Sequence, residues 1–169
     1  MDYNLTKYSK LYLMLKQILI IYPILSYFII IYYVIKKKVE NFSLLYIPFV
    51  SIFGEILKNI IRQKRPLNAV DTYFLINNKK TTSYGMPSLH ALNSFLIATI
   101  LLKTSISKTE KIIYFLIAFI VSISRYLYGM HTLTQVYVGI LLGLFFGKSY
   151  NYMLHLYRKY LLANIQLIY

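Results

Sequence analysis

Cysteine is absent from this 169-residue chain. That excludes a disulfide framework and a thiolate metal site, and it removes the usual clue to redox compartment. Acidic residues are nearly as scarce. Asp2, Glu40, Glu55, Asp71 and Glu110 stand against 19 Lys plus Arg, for a net charge of +14. Neither these acids nor His90, His131 and His155 fall into an HExxH motif or a carboxylate cluster, so no metal site and no cofactor are expected. Alanine is missing early in the chain: none precedes Ala69. The apolar stretch behind Lys7, Lys10 and Lys16 therefore lacks a signal-peptide cleavage site and is expected to be a retained span. Charged residues make up only 14% of the chain and hydrophobic ones 58%, with a mean hydropathy of +0.55, which excludes an ordinary water-soluble domain.

What remains is the pattern of a membrane protein. A soluble nucleic-acid binder can carry the same net charge, but here the cations cluster between apolar runs, as at "KKK" 36–38 and "NNKK" 77–80, where membrane proteins place them. No nucleic-acid partner is expected. Crossing about 30 Å of hydrocarbon takes roughly 17–25 mainly apolar helical residues. Five segments meet this requirement, at 17–35, 42–61, 86–102, 112–128 and 132–152. The expectation is an all-α, polytopic membrane bundle of about five helices, with residues 1–169 as a single domain and no internal repeat.

Tyrosine is abundant, at 19 residues. Several, including Tyr32, Tyr33, Tyr126 and Tyr128, fall near expected helix ends, where an amphipathic ring suits the headgroup region; a general bias toward Tyr, Ile, Asn and Lys accounts for them equally well. Gly139, Gly143 and Gly147 recur every fourth residue and permit close approach of another helix, within the chain or in an oligomer. The tail, 156–169, mixes Arg158 and Lys159 with leucines and is compatible with lying along the interface.

Five crossings would bring the end of the second helix and the start of the third to the same side as the end of the fourth and the start of the fifth. These four places hold most of the unusual residues. In "KNIIRQKRP", Lys58 and Arg65 are seven residues apart, near two helical turns, so both are expected on one helix face before Pro66. In "SYGMPSLHA", Pro87 is expected in the first turn of the third helix. The free N–H groups of Ser88 and Leu89, the Ser88 hydroxyl and the helix dipole would then form an anion site, with His90 behind it. In "SRYLYGMHTLTQ", Arg125 ends the fourth helix, and His131 and Gln135 share a face of the fifth. Taken singly, Arg62, Lys64 and Arg65 read as a basic membrane flank, and His131 as a polar residue at a helix start. Their coincidence on one side points instead to a functional site.

In order and spacing, Lys58 to Pro66, Pro87 to His90 and Ser124 to Gln135 resemble the three signature motifs of the type 2 phosphatidic acid phosphatase superfamily, to which vanadium haloperoxidases are related. The resemblance covers residues 58–135. Leu89 stands where the family usually has glycine, and Gln135 where an aspartate usually orients the catalytic histidine. Glutamine at this place, with "YGMPSLHA" and "GMHTLTQV", looks like the dolichyl-diphosphatase branch. The resemblance implies His131 as nucleophile, initially neutral, and His90 as general acid and base, initially charged. It implies Gln135 as the group that orients His131, and Lys58, Arg65, Ser88, Leu89 and Arg125 as phosphate ligands, with no metal. Glu55, three residues before Lys58, is expected to pair with Lys58 or Arg125.

A pocket at the membrane surface favours a lipid phosphate or diphosphate, whose tail stays in the bilayer, over a soluble sugar phosphate. The resemblance narrows this to hydrolysis of a dolichyl-type diphosphate. Phosphatidic acid or another lipid phosphate is the alternative substrate, and a non-catalytic headgroup-binding protein is the alternative class. Apart from the three site cations, seven Lys and Arg fall on the site's side and nine on the other. The positive-inside rule then places the site outside, or in the lumen of the endoplasmic reticulum if the membrane is eukaryotic.

Overall fold

The computed structural model describes the backbone of residues 2–67, 69–71, 79–80 and 83–166, and the side chains of 17–67, 69 and 83–163. Among the described residues five helices follow one another: α1 (Asp2–Ile35), α2 (Ser43–Ile61), α3 (Leu89–Leu102), α4 (Lys108–Leu127) and α5 (Leu133–Gln166). Between α2 and α3 lies one feature the sequence analysis did not anticipate. Two antiparallel strands of two residues each, β1 (Val70–Asp71) and β2 (Lys79–Lys80), pair Val70 with Lys80 and Asp71 with Lys79. So short a ladder leaves the architecture helical.

Local chemistry sets the helix ends. α4 starts with a capping box: the Glu110 N–H donates to Ser107 Oγ at 3.2 Å, and the Ser107 N–H donates back to Glu110 Oε2 at 2.8 Å. The same carboxylate accepts the Tyr33 hydroxyl at 2.7 Å. Tyr33 is therefore a buried link between α1 and α4 and not a headgroup anchor, whereas Tyr32 and Tyr126 do face outward. α2 stops at Ile61 because Arg62 adopts φ 53° and its N–H caps the Lys58 carbonyl. α5 continues as helix through Gln166, so residues 156–166 of the tail extend α5 instead of forming a separate segment, and 167–169 lie outside the described residues.

α3 is the central element. Leu92, Leu96, Ile97, Ile100 and Leu101 are fully or almost fully buried, packed with Ile30 of α1 and Val50 of α2. Against α3 lies the glycine-bearing face of α5. A Cβ at Gly139 would come within 2.5 Å of the Ser88 carbonyl, and one at Gly143 or Gly147 would collide with Leu92 or Thr99. The small-residue stripe thus serves packing within this chain, where close backbone contact supplies the dispersion attraction that helix association in lipid needs.

The outside of the bundle is apolar. Ile18, Ile24 and Phe28 on α1, Leu45, Phe49 and Ile52 on α2, Ile112, Leu116 and Phe119 on α4, and Tyr137 and Phe145 on α5 are all exposed. Residues Gln17–Ile35 and Ser43–Ile61 are each 19 long, with hydropathies of 2.4 and 1.6, and are apolar enough to cross a membrane. α3 is equally apolar but has 14 residues, about 21 Å of helix. Enclosure by its neighbours, more than length, accounts for its hydrophobicity.

Candidate active site

Lys58 emerges from the last turn of α2, where its side chain is almost fully buried, with Nζ 3.2 Å from Glu55 Oε2. This is one of the two pairings expected for Glu55. Arg65 arrives differently from expectation. Because α2 ends at Ile61, Arg65 belongs to the following non-helical segment and shares no helix face with Lys58. Its Nη2 donates to Ser83 Oγ at 2.9 Å and its Nη1 lies 3.4 Å from His131 Nε2.

The segment before α3 also differs. The helix begins at Leu89 with Ser88 as N-cap, so Pro87, joined to Met86 by a cis peptide, precedes the first turn. The Ser88 N–H is not free for an anion: it donates to the Gln135 carbonyl at 3.0 Å. Among the described residues the Ser88 hydroxyl, fully buried, has no hydrogen-bond partner. Leu89 places Cδ2 where a side chain at Gly54 would have to be, 2.6 Å from a Cβ built there, so α2 provides the room that its bulk requires.

Arg125 lies in the last turn of α4, 1% exposed, with its guanidinium 6.0 Å from the Tyr128 ring centroid. The chain then reverses through Gly129 at φ 65°, a left-handed conformation that favours glycine. The reversal returns the Met130 and His131 N–H groups to the Arg125 carbonyl at 3.0 and 3.1 Å. An arginine and a histidine six residues apart are thereby locked together before α5 begins at Leu133.

His131 precedes α5 instead of lying on its first turn, yet it still reaches Gln135. Its Nδ1 is 2.9 Å from the Gly85 carbonyl and 3.3 Å from Gln135 Oε1. Both partners accept, so the proton resides on Nδ1 and the lone pair on Nε2. Burial, followed by the Arg65 and Lys58 cations, pushes this imidazole down to about 3, which keeps it neutral. Gln135 is completely buried. Its Oε1 also accepts the Thr132 N–H at 3.1 Å, while its Nε2 donates to the Lys64 carbonyl at 2.9 Å and Gln63 Oε1 at 3.1 Å. One amide therefore ties the start of α5 to the segment that carries Arg65.

Six of the eight expected site residues, Lys58, Arg65, Leu89, His90, Arg125 and His131, line one cavity of about 390 Å³; Ser88 and Gln135, both fully buried, are not among its lining residues. Three cations face this space, and among the described residues the acid that lines it is Glu55. Such an excess of buried positive charge is costly unless an anion completes it. Sequence reasoning missed Gly85 as the nearer acceptor for His131, although "SYGMPS" marked the place. It also missed Ser83 and Met130, which fall inside the quoted motifs, and Asn93 and Pro23, which line the cavity with no signal in the pattern.

These elements define a helical bundle with a cavity where three cations meet a buried imidazole whose unprotonated nitrogen faces them. The PAP2 superfamily profile matches residues 40–159, and the chain belongs to that superfamily. With it the chain belongs among the phosphatases. It is 28% identical to the dolichyldiphosphatase of Saccharomyces cerevisiae over 96% of its own length and 70% of the yeast protein's. It is 39% identical to the undecaprenyl-diphosphatase of Sulfolobus acidocaldarius over 54% of its length and 44% of that protein's. In structure it is similar to a transmembrane PAP2 type phosphatidylglycerolphosphate phosphatase from Bacillus subtilis. The TM-score is 0.55 and the identity 25%, with 82% of this chain and 77% of that one covered.

Proposed function

We propose that this protein is a multi-pass membrane phosphatase that converts a polyprenyl diphosphate of the dolichyl type to the monophosphate through a phosphohistidine, without a metal. The carrying observation is the state of His131. Nδ1 is saturated by Gly85 and Gln135, so Nε2 offers its lone pair to the cavity in which Lys58, Arg65 and Arg125 converge.

In the first step Nε2 attacks the terminal phosphorus, the N–P bond forms and the bond to the bridging oxygen breaks. The leaving oxygen takes a proton from His90. Lys58, Arg65 and Arg125 hold the phosphoryl oxygens as charge redistributes, which is mainly electrostatic positioning. In the second step water gives its proton to His90 and its oxygen to phosphorus, the N–P bond breaks, and inorganic phosphate leaves. The Leu89 and Ser88 end of α3 contributes its helix dipole to the same anion.

The likeness to the yeast dolichyldiphosphatase along most of the chain supports a polyprenyl diphosphate. The outward-facing apolar surface supports a substrate whose tail remains in the bilayer, and the distribution of cations supports a lumenal or extracytoplasmic site. The test is phosphate release by detergent-purified protein from dolichyl diphosphate and, in parallel, from diacylglycerol phosphate, with EDTA, vanadate and His131→Ala as further arms. Diphosphate hydrolysis that resists EDTA and disappears in His131→Ala is expected. Loss of activity in EDTA would remove the metal-free chemistry, and preference for diacylglycerol phosphate would move the substrate to the phosphatidic acid class.

A further inference from the structure

The cavity has a wall that the three motifs do not provide. Pro23, in the middle of α1, lines it beside His90 and His131. One turn earlier on the same helix, the Ile20 carbonyl lies 3.0 Å from His90 Nε2. A carbonyl only accepts, so Nε2 carries the proton there, and Nδ1 is the ring nitrogen left for the substrate. α1 ends at Ile35 and the superfamily match begins at residue 40, so this contact comes from outside the matched segment.

A carbonyl inside a regular helix already accepts the N–H four residues on, which for Ile20 is that of Ile24. Proline removes its own N–H from the ladder, and its ring pushes aside the carbonyl one turn back, at Leu19; the helix opens locally, and neighbouring groups satisfy the backbone it releases. Ile20 follows Leu19 and lies three residues before Pro23, within the turn whose ladder the proline interrupts. The next polar contact along α1 fits the same disturbance, since Ser26 Oγ, completely buried, donates to the carbonyl of Pro23 itself at 2.9 Å.

We infer that Pro23 is a positioning residue for the phosphatase reaction: by opening α1 it presents the Ile20 carbonyl to His90, which fixes the ring so that Nδ1 delivers the proton to the leaving oxygen. This deepens the function proposed above and rests on His90 being the general acid. Once Nδ1 is also protonated, the Ile20 carbonyl accepts from an imidazolium, a stronger bond than one from a neutral ring. The bond therefore persists through the proton-donating state and costs no reorientation during transfer.

The prediction separates from a merely structural role through the leaving group. The alkoxide expelled from a lipid monophosphate needs a proton as the P–O bond breaks, whereas 4-nitrophenolate, like the phosphate expelled from a diphosphate, hardly does; a monophosphate therefore exposes the acid more than the diphosphate. Pro23→Ala restores the N–H that pairs with the Leu19 carbonyl and removes the ring that disturbs the turn holding Ile20. Full-length protein in detergent is assayed with diacylglycerol phosphate, the parallel substrate above, and with 4-nitrophenyl phosphate, for wild type, Pro23→Ala, His90→Ala, the double variant and His131→Ala. Pro48→Ala, which removes the proline inside α2, is the control.

A positioned acid contributes about 10²–10⁴-fold. Losing its anchor while keeping the group is expected to lower kcat on the lipid by about 3- to 10-fold, since one hydrogen bond amounts to roughly 1 kcal/mol. KM should stay within about twofold, the 4-nitrophenyl substrate should be nearly unaffected, and His90→Ala should show no further loss when Pro23→Ala is added. Pro48→Ala should leave the ratio of the two substrates unchanged. Equal losses on both substrates, additive effects with His90→Ala, or no loss in Pro23→Ala while His90→Ala is impaired would each overturn the positioning role. If His90→Ala and His131→Ala both retained wild-type phosphate release, the phosphatase chemistry itself would be wrong, a result distinct from the others.

Discussion

Replacing Gln135 by alanine separates orientation of the nucleophile from the nucleophile itself. The His131 Nδ1 proton is shared between the Gly85 carbonyl at 2.9 Å and Gln135 Oε1 at 3.3 Å, and the variant removes only the longer contact. A neutral hydrogen bond contributes about 0.5–1.5 kcal/mol, so the direct loss in kcat is about 2- to 13-fold. His131→Ala removes the attacking atom and should reduce turnover to background. Truncation also leaves the Thr132 N–H and the Lys64 carbonyl without the amide they bond now. At about 1–3 kcal/mol for each orphaned group, the fold loses up to about 6 kcal/mol, less whatever water recovers at these part-buried sites. The assay pairs phosphate release at saturating substrate with thermal unfolding in the same detergent. A Gln135→Ala protein that is folded yet as inactive as His131→Ala would refute the division of labour between Gly85 and Gln135. So would one with wild-type Tm.

Three further outcomes are expected. In Arg65→Gln, one of the two cations that oppose a proton on His131 is gone; the imidazole, now held at about 3, rises, and the acid limb of kcat/KM moves to higher pH, while an unmoved limb would show that Arg65 does not set it. Glu55→Gln frees the Lys58 ammonium from its 3.2 Å partner, half exposed to solvent, so KM for the phosphate substrate should fall by up to about fivefold; a rise would mean that Glu55 helps to bind substrate. Gly143→Val drives a side chain into the Leu92 carbonyl and the Phe95 Cβ, and should destabilise the protein by about 1–3 kcal/mol or more, read as a lower Tm, whereas an unchanged Tm would show that α3 and α5 are not held this closely.

Much of this was legible in the chain because membrane helices and phosphate sites both leave local traces. Apolar runs of helical length marked all five helices, and residues 17–35 recur unchanged as a candidate span. Cations and histidines near helix ends marked five of the residues that share the cavity, and Leu89 in the same motif a sixth. The four-residue glycine repeat announced close packing but not its partner. That it meets α3 in the same chain depends on the three-dimensional path, as does the room at Gly54 for Leu89.

Composition and spacing by themselves determined that this is a helical, strongly apolar chain whose cations and histidines gather near the joins of α2, α3, α4 and α5, because hydrophobic length and charge placement are properties of short segments. Only the tertiary structure decided which atoms hold that site. The end of α2 at Arg62 depends on a backbone conformation, and the loan of the Ser88 N–H to Gln135 on a contact across 47 positions. The anchoring of His131 on Gly85 and of His90 on Ile20 are hydrogen bonds to backbone carbonyls 46 and 70 residues away. Every residue carries such a carbonyl, so no side-chain pattern can mark the one that will be used; its availability is settled by where the helices break and how they pack.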